Sequence, residues 1–248
     1  MKSYQLAAIA TACSALVACG GNDAGDTSSK PPAGATTYPE VTPVVGQVDT
    51  FATVTTDDAA NVVDRGYEER VTAVGADGSY TIAQDDPSNF TTTLNGITYH
   101  YVPTERQFGA TSGGNLQTGY TETLADGQVS CKLAYQGGQR PSPMWVGQTW
   151  TLRYTVTCGS TVTSYTDVGS VDAAEPVSVH AGTFNALKLR DTLRWTTSTG
   201  QNVVEQSTSW VDPAHGFFTL RREVSYQRSG TVPAHFVTGQ TVELQSRQ

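Results

Sequence analysis

Residues 149–158 read Thr-Trp-Thr-Leu-Arg-Tyr-Thr-Val-Thr-Cys, an uninterrupted alternation of polar and apolar side chains. Apolar residues occupy every even position from Trp150 to Cys158, and Thr or Arg occupies every odd one. Successive side chains of a β-strand point to opposite faces of a sheet, so this period of two predicts a strand with one buried and one solvated face. Such strands are typical of antiparallel sheets that cover a single core.

The same alternation continues through most of the chain after residue 44, broken by short turn sequences. Asn95-Gly96 and Asp126-Gly127 each separate two alternating runs, and both dipeptides favour the positive φ angles of two-residue hairpin turns. About a dozen strands result, with no convincing amphipathic helix. We predict one all-β, antiparallel domain over residues 44–248. It is expected to fold as a curved sheet or an open, half-closed barrel, with a β-sandwich as the alternative.

Two cysteines fall on the apolar faces of predicted strands. Cys131 alternates with Ser130 and Lys132, and Cys158 closes the run that opens this section. An even pair of cysteines in an exported protein favours a disulfide, so we predict a bond between Cys131 and Cys158. Two buried free thiols and a redox or metal site are the alternatives. The sequence has no Cys-x-x-Cys motif to favour the latter.

The N-terminus has the pattern of a secretory segment. Lys2 precedes an apolar run, residues 6–17, that is shorter than the roughly 20 residues needed to span a bilayer. The run ends in Leu16-Val17-Ala18-Cys19, which resembles the lipobox of bacterial lipoproteins. The resemblance implies that residues 1–18 are a cleaved signal peptide and that Cys19 carries a lipid anchor. The alternative is an ordinary secretory signal in which Cys19 is incidental.

The resemblance also implies a place in the cell envelope. Gram-negative lipoproteins retained in the inner membrane commonly have Asp after the lipidated Cys, and this chain has Gly20. In a Gram-negative organism the protein is therefore expected in the outer membrane. Residues 19–43 are rich in Gly, Ser, Thr and Pro, and we predict that they form a flexible tether between the lipidated Cys and the β domain.

Charge and motif content exclude several classes of function. The chain has 15 basic and 23 acidic residues, a net charge of −8, which makes it a poor candidate for binding nucleic acid. It lacks the Gly-x-Ser-x-Gly, His-Glu-x-x-His, P-loop and dinucleotide-binding patterns. The four histidines stand apart from one another in the sequence. We therefore predict no catalytic residues, no metal and no cofactor.

Two charged residues interrupt apolar strand faces. Asp191 shares its phase with Leu189 and Leu193, and Arg222 shares its phase with Leu220 and Val224. An unpaired charge in such a place is costly, so we hypothesise that Asp191 and Arg222 form a buried or cavity-lining ion pair across strands that could pair. The alternative is a strand end or bulge that lets each side chain reach solvent.

Large aromatic residues supply candidates for the core or for the lining of a cavity. Their positions in the alternating pattern predict that their side chains face inward. Together with the two charged residues they form one set of candidates: Trp150, Tyr154, Asp191, Trp195, Trp210, Phe218 and Arg222.

Two segments of the C-terminal half resemble a sequence pattern found in bacterial envelope β-proteins. Residues 176–189 fit Val-x-Val-x-Ala-Gly-Thr-Phe-x-Ala-Leu-Lys, with His180 where the pattern usually has Pro. Residues 210–216 fit Trp-x-x-Pro-x-x-Gly. By analogy, the resemblance implies a sheet like the incompletely closed barrels of lipoprotein carriers and receptors, which enclose acyl chains.

These observations lead to three functional hypotheses. The first is a non-enzymatic outer-membrane lipoprotein, anchored in the membrane by its lipid, whose β domain binds a hydrophobic ligand or an envelope partner. The second is a structural or assembly lipoprotein with no small-molecule ligand. The third is an envelope hydrolase, which requires a polar cleft with converging acidic or His and Ser side chains.

Overall fold

The computed structural model describes residues 30–86, 91–94, 97–100, 102–111, 114–124, 127–138, 142–232 and 236–248, with backbone alone in 91–94 and 97–100. The predicted signal peptide, the lipidation site Cys19 and the turn residues Asn95, Gly96 and Asp126 lie outside the described residues.

Nearly all of the described chain is β-strand, as its alternating sequence predicts. The first seven strands are β1 (Val48–Asp57), β2 (Val62–Val74), β3 (Tyr80–Asp85), β4 (Thr91–Leu94), β5 (Ile97–His100), β6 (Thr104–Thr111) and β7 (Gly114–Leu124). The remaining seven are β8 (Gly127–Gly137), β9 (Thr149–Cys158), β10 (Thr161–Val179), β11 (Gly182–Thr196), β12 (Asn202–Asp212), β13 (Phe218–Ser229) and β14 (Val237–Arg247). A short 3-10 helix, Pro213–His215, separates β12 from β13. None of the described residues forms a helix with the length and apolarity that crossing a membrane requires.

Twelve of the described strands close into an antiparallel barrel in the order β1-β14-β13-β12-β11-β10-β9-β8-β7-β6-β3-β2. The all-β prediction and the number of strands are therefore confirmed. The strands β4 and β5 form a separate hairpin between β3 and β6. Where an open or half-closed barrel was expected, β1 pairs with β14 and completes the ring. Closure pairs the backbone groups that an open sheet leaves exposed at its edges.

The disulfide joins two neighbouring strands of the barrel. Cys131 on β8 lies directly opposite Cys158 on β9, and their sulfur atoms are bonded. The bond confirms the prediction made from the two apolar strand faces. It links residues 27 positions apart on the inner side of the sheet.

One end of the barrel is covered by the chain that precedes β1. The backbone of Tyr38 exchanges two hydrogen bonds with Met144, in the loop before β9. The Glu40 carboxylate accepts hydrogen bonds from the backbone and side chain of Asn115 on β7, at 2.8 and 3.1 Å. The tether predicted for residues 19–43 therefore needs correction at its C-terminal end, because Tyr38 and Glu40 attach that part to the barrel.

The segments that resemble envelope proteins meet at this same end. The β10–β11 hairpin extends past its neighbours, and at its turn the Ala181 amide donates to the Leu244 carbonyl on β14. The 3-10 helix ends at Gly216, which has φ +69°; a Cβ there would lie 2.9 Å from the Val41 carbonyl oxygen. Only glycine fits both this left-handed conformation and this close approach. The pattern residues thus build the closed end of the fold.

Candidate functional site

Four aromatic side chains form a continuous row on the inner face of neighbouring strands. The strand register places Tyr135 of β8 opposite Tyr154 of β9, Tyr154 opposite Tyr165 of β10, and Tyr165 opposite Trp195 of β11. Their ring centroids are 5.4, 5.1 and 5.6 Å apart, and the two middle rings are stacked with 5° between their planes. We call Tyr135, Tyr154, Tyr165 and Trp195 the aromatic row.

The aromatic row is only partly covered, although it faces inward. Tyr154 is 6% exposed, whereas Tyr135, Tyr165 and Trp195 are half-buried. Further half-buried apolar side chains continue the same inner surface toward β7: Tyr120, Val129, Leu133 and Cys158. By contrast, Met144 and Phe217 at the covered end of the barrel are 1% and 3% exposed. The inner surface of β7–β11 is therefore partly accessible at the end of the barrel where β9 turns into β10, the end away from Met144 and Phe217.

Carboxylates lie directly beneath the aromatic row. The next row along the register runs from Leu152 through Asp167, Leu193 and Glu205 to Tyr226. Asp167 is 2% exposed and Glu205 is 3% exposed. Glu205 is paired with Arg222 of β13, whose Nη2 lies 2.5 Å from Glu205 Oε1.

These carboxylates and the burial of the rings change the acidity of the tyrosines. Burial, and then the negative charge of Glu205, raise the pKa of Tyr165 to about 12. Burial, and then the charge of Asp167, raise the pKa of Tyr154 well above its usual value. The pKa of Tyr226 is also raised, first by burial and then by Glu205. The hydroxyl groups around the row therefore remain protonated at neutral pH.

A third inner row contains a buried donor with no partner among the described residues. Trp150 is opposite Gly169, and Gly169 is opposite Asp191. The Trp150 side chain is 1% exposed, and its Nε1 has no hydrogen-bond partner in the described part of the chain. Buried polar groups are nearly always hydrogen-bonded, so Trp150 Nε1 indicates an acceptor that the described residues do not supply.

The structure places the predicted aromatic residues in three different environments. Trp150, Tyr154 and Trp195 face the interior beside one another, as predicted. Phe218 is also buried, but in a separate cluster with Tyr80, whose ring centroid is 6.5 Å away. These two rings do not contribute to the aromatic row.

The predicted inward phase of Trp210 is wrong. The buried positions of β12 are the odd ones, and Trp210 lies on the outer face between Lys188 and Arg221. Lys188 Nζ and Arg221 Cζ are 5.1 and 5.4 Å from its ring centroid, and its Nε1 donates to Glu175 at 2.8 Å. Trp210 is held there by two cations and a carboxylate, which stabilise an indole at a solvated surface.

The hypothesis about Asp191 and Arg222 is right on burial and wrong on strand pairing. Asp191 is 2% exposed and Arg222 is 5% exposed. Their strands β11 and β13 do not pair, because β12 lies between them. Two residues of β12 contact them instead of the strands contacting each other. Glu205 forms an ion pair with Arg222, and the Ser207 hydroxyl donates a hydrogen bond to Asp191 at 3.3 Å.

A second group of charges joins the first and last strands of the barrel. Sequence reasoning did not predict this group. Arg247 on β14 donates to both carboxylate oxygens of Asp49 on β1, at 2.8 and 2.7 Å. It also donates at 2.6 Å to Asp212, which in turn contacts His215 at 2.7 Å. No local pattern signals this network, since Asp49 and Arg247 are 198 positions apart.

Another buried ion pair that sequence reasoning missed lies beside this network, because Glu69 of β2 is directly opposite Asp49 of β1 in the strand register. Arg106 of β6 is 1% exposed, and its Nη2 lies 2.6 Å from Glu69 of β2. Burial raises the pKa of Glu69, and Arg106 opposes that increase. Within the ranges that the structure describes, no three His, Cys, Asp or Glu side chains are grouped so as to hold a metal ion.

Comparisons with known proteins show the fold and no more. No protein-family model matches the chain, and no curated protein matches it. A solved structure described as a lipoprotein from Parabacteroides distasonis is similar to it, with a TM-score of 0.50 and 11% identity over 85% of this chain and 99% of that one. A second, described as an exported protein with a YmcC-like fold from Bacteroides fragilis, has a TM-score of 0.46 and 13% identity over 86% and 99% of the two chains. The likeness is one of architecture.

Proposed function

We propose that this protein is an exported, lipid-anchored component of the bacterial cell envelope whose barrel binds an apolar ligand against the aromatic row. The observation that carries the binding proposal is the partly exposed inner surface formed by Tyr135, Tyr165 and Trp195. Aromatic side chains that face inward and yet remain accessible are typical of ligand sites in barrels. In a filled core they would be fully covered.

The lipid-anchored part of the proposal is supported by the lipobox-like Leu16-Val17-Ala18-Cys19. The fold is shared with a protein described as a lipoprotein. Residues 38–47 reach β1 at the covered end of the barrel, so an anchor at Cys19 would leave the accessible side free. In a Gram-negative organism we propose the outer membrane, because Gly20 replaces the retention signal.

We propose a binding role and no catalysis. Glu205, beneath the aromatic row, is neutralised by Arg222 at 2.5 Å. The described histidines with side-chain positions, His180 and His215, lie at the covered end of the barrel, on the hairpin turn and in the 3-10 helix. A hydrolase requires an acid or base within reach of a substrate, and these two described histidines lie away from the aromatic row.

Native mass spectrometry of the full chain carrying Cys19→Ser tests ligand binding. We expect a co-purifying apolar mass that is removed by delipidation and is absent from Tyr165→Ala. Trp210→Ala is the matched control, because it removes an aromatic ring from the outer face of the same barrel. A ligand-free mass for the parent chain, together with no uptake of added alkyl probes, would overturn binding and leave the structural role.

Lipid anchoring has its own test. In a bacterial host, the wild-type chain should incorporate labelled palmitate and partition with membranes. Cys19→Ser should do neither, and Cys13→Ser should behave like wild type because Cys13 lies inside the predicted signal peptide. Labelling of the Cys19→Ser chain would contradict the proposal.

A further inference from the structure

We infer that the ligand of the aromatic row carries an uncharged oxygen acceptor, a hydroxyl or a carbonyl group, that receives a hydrogen bond from Trp150 Nε1. This inference rests on the proposed function, and it specifies which apolar ligands the barrel prefers. It depends on the position of one buried donor relative to the aromatic row.

Trp150 is the buried donor that calls for this acceptor. Its side chain is 1% exposed, and its Nε1 has no hydrogen-bond partner in the part of the chain that the structure describes. An indole N–H can only donate, so the missing partner must be an acceptor. Leaving a buried donor without an acceptor costs free energy, and a bound molecule that supplies an oxygen atom removes that cost.

Trp150 lies on the same strand and the same face of the sheet as the aromatic row. It is four positions before Tyr154 on β9, and both side chains are buried. The residue opposite Trp150 on β10 is Gly169, so β10 contributes no side chain at that position of the inner face. At the usual rise per residue of a strand, a ligand that contacts both the row and Trp150 must extend over about 13 Å.

An uncharged acceptor fits this interior better than a carboxylate does. The two inward-facing arginines of β13 are already engaged, because Arg222 forms an ion pair with Glu205 and Arg228 donates to Gln201 at 2.8 Å. A buried carboxylate without a cationic partner is costly, whereas a hydroxyl or carbonyl oxygen needs only the hydrogen bond. Burial also raises the pKa of Tyr165 to about 12, so the anionic form of a side chain in the row is already disfavoured.

The hydrogen bond can be observed directly by NMR of the full chain carrying Cys19→Ser, with its four tryptophans labelled at the indole nitrogen. Decanol offers a hydroxyl oxygen and 2-decanone a carbonyl oxygen, and we expect both to move the Trp150 indole proton downfield. Decyltrimethylammonium has a similar chain and no acceptor, so it should produce no downfield shift. Trp150→Phe assigns the signal. If that variant does not fold, Trp145→Phe, Trp195→Phe and Trp210→Phe assign it by elimination.

Calorimetry of the same chain measures the preference for the headgroup. We expect decanol and 2-decanone to bind about tenfold more tightly than decyltrimethylammonium, because one hydrogen bond to a buried donor separates the probes. Ionised decanoate should bind more weakly than decanol. Trp150→Phe should abolish the tenfold preference. Trp210→Phe is the matched control, because it removes an indole from the outer face and should leave every affinity unchanged.

Three outcomes would contradict the inference, and they are distinguishable. A Trp150 signal that responds equally to all the probes, or to none of them although they bind, would overturn the acceptor and leave the proposed apolar site standing. Decanoate that binds as tightly as decanol would overturn the uncharged headgroup. Failure of every probe to bind would overturn both the inference and the site.

Discussion

Asp49 and Arg247 are joined by two parallel hydrogen bonds of 2.8 and 2.7 Å, and they face each other where the first and last strands of the barrel meet. Asp49 is 2% exposed and the Arg247 side chain is 12% exposed. The same guanidinium binds Asp212 at 2.6 Å. One side chain therefore fixes β1, β14 and the corner after β12 to one another.

Replacing Arg247 should destabilise the fold strongly. Arg247→Met removes the guanidinium that the buried Asp49 and Asp212 carboxylates share, which should lower the free energy of unfolding by about 3 kcal/mol. Denaturant titration measures the change. Arg190→Met is the control: Arg190 pairs with Asp172 at 2.8 Å, but its side chain is 66% exposed, and its loss should cost less than about 1 kcal/mol. Equal losses in the two variants would contradict the role given to Arg247.

The disulfide should contribute to stability through the unfolded chain. Cys131 and Cys158 are 27 positions apart, a separation for which the chain-entropy relation gives about 3.5 kcal/mol. The double variant Cys131→Ala/Cys158→Ala should lose this amount, and reduction of the wild type should lose the same. Reductant should leave the unfolding curve of the double variant unchanged. A wild type whose unfolding curve does not respond to full reduction would refute this assignment.

Glu40 should hold the segment before β1 against the barrel. Glu40→Ala removes both hydrogen bonds to Asn115 and should lower the free energy of unfolding by about 1.5 kcal/mol. Hydrogen exchange offers a local measurement, since the amides of Tyr38 and Met144 are bonded across this contact and should exchange faster in the variant. Undiminished protection at both amides would show that Tyr38 holds the segment without Glu40.

Glu122 should make stability depend on pH. Burial raises its pKa above the usual 4.5, so native Glu122 retains its proton to a higher pH than the unfolded chain does. Between those two pKa values the native state binds more protons, and the free energy of unfolding falls as pH rises. Glu122→Gln lacks this loss, so the stability of the variant relative to wild type should increase as the pH rises above the usual Glu pKa of 4.5.

Denaturant titrations at several pH values test that expectation. Glu105→Gln removes an exposed carboxylate from the neighbouring strand β6 and controls for the change in net charge. A difference between Glu122→Gln and wild type that stays constant with pH would contradict the argument.

The tyrosines around the aromatic row should ionise only at unusually high pH. The pKa of Tyr165 is raised to about 12, and burial raises the pKa values of Tyr120, Tyr154 and Tyr226 as well. Ultraviolet titration of the folded protein should show a group of tyrosines that ionise well above the usual pKa of 10. Tyr165→Phe should remove one equivalent of tyrosinate from the absorbance change near about pH 12. Loss of an equivalent near pH 10 instead would place Tyr165 in solvent.

The local alternation of polar and apolar residues predicts where most strands lie and which of their side chains are buried, but it fails at some individual positions. Phase along a strand identified Trp150, Tyr154 and the buried charges Asp191 and Arg222, because burial follows from period two alone. It assigned Trp210 to the wrong face, since Trp210 precedes the equally apolar Val211 and a register shift separates them. Tyr165 was missed because Ser, Thr and Asp surround it and weaken the alternation.

Which side chains pair across neighbouring strands depends on the order of the strands in the sheet. A short stretch of sequence does not reveal that order. Arg222 pairs with Glu205 because β12 lies between β11 and β13, and the aromatic row exists because β8 to β11 are consecutive in the sheet. The closure by β1 and β14 requires two segments from opposite ends of the chain. The disulfide was predictable because two cysteines in one domain have a single possible partner each.

The pairing of β1 with β14 also determines when the chain can finish folding. Each other barrel contact joins strands that follow one another closely, but Asp49 must find Arg247 across 198 positions. The loss of chain entropy in closing so long a loop comes before the contacts that compensate it. The ring therefore closes last, and a nascent or truncated chain without residues 237–247 keeps the open edges of β1 and β13, where other chains can pair and aggregate.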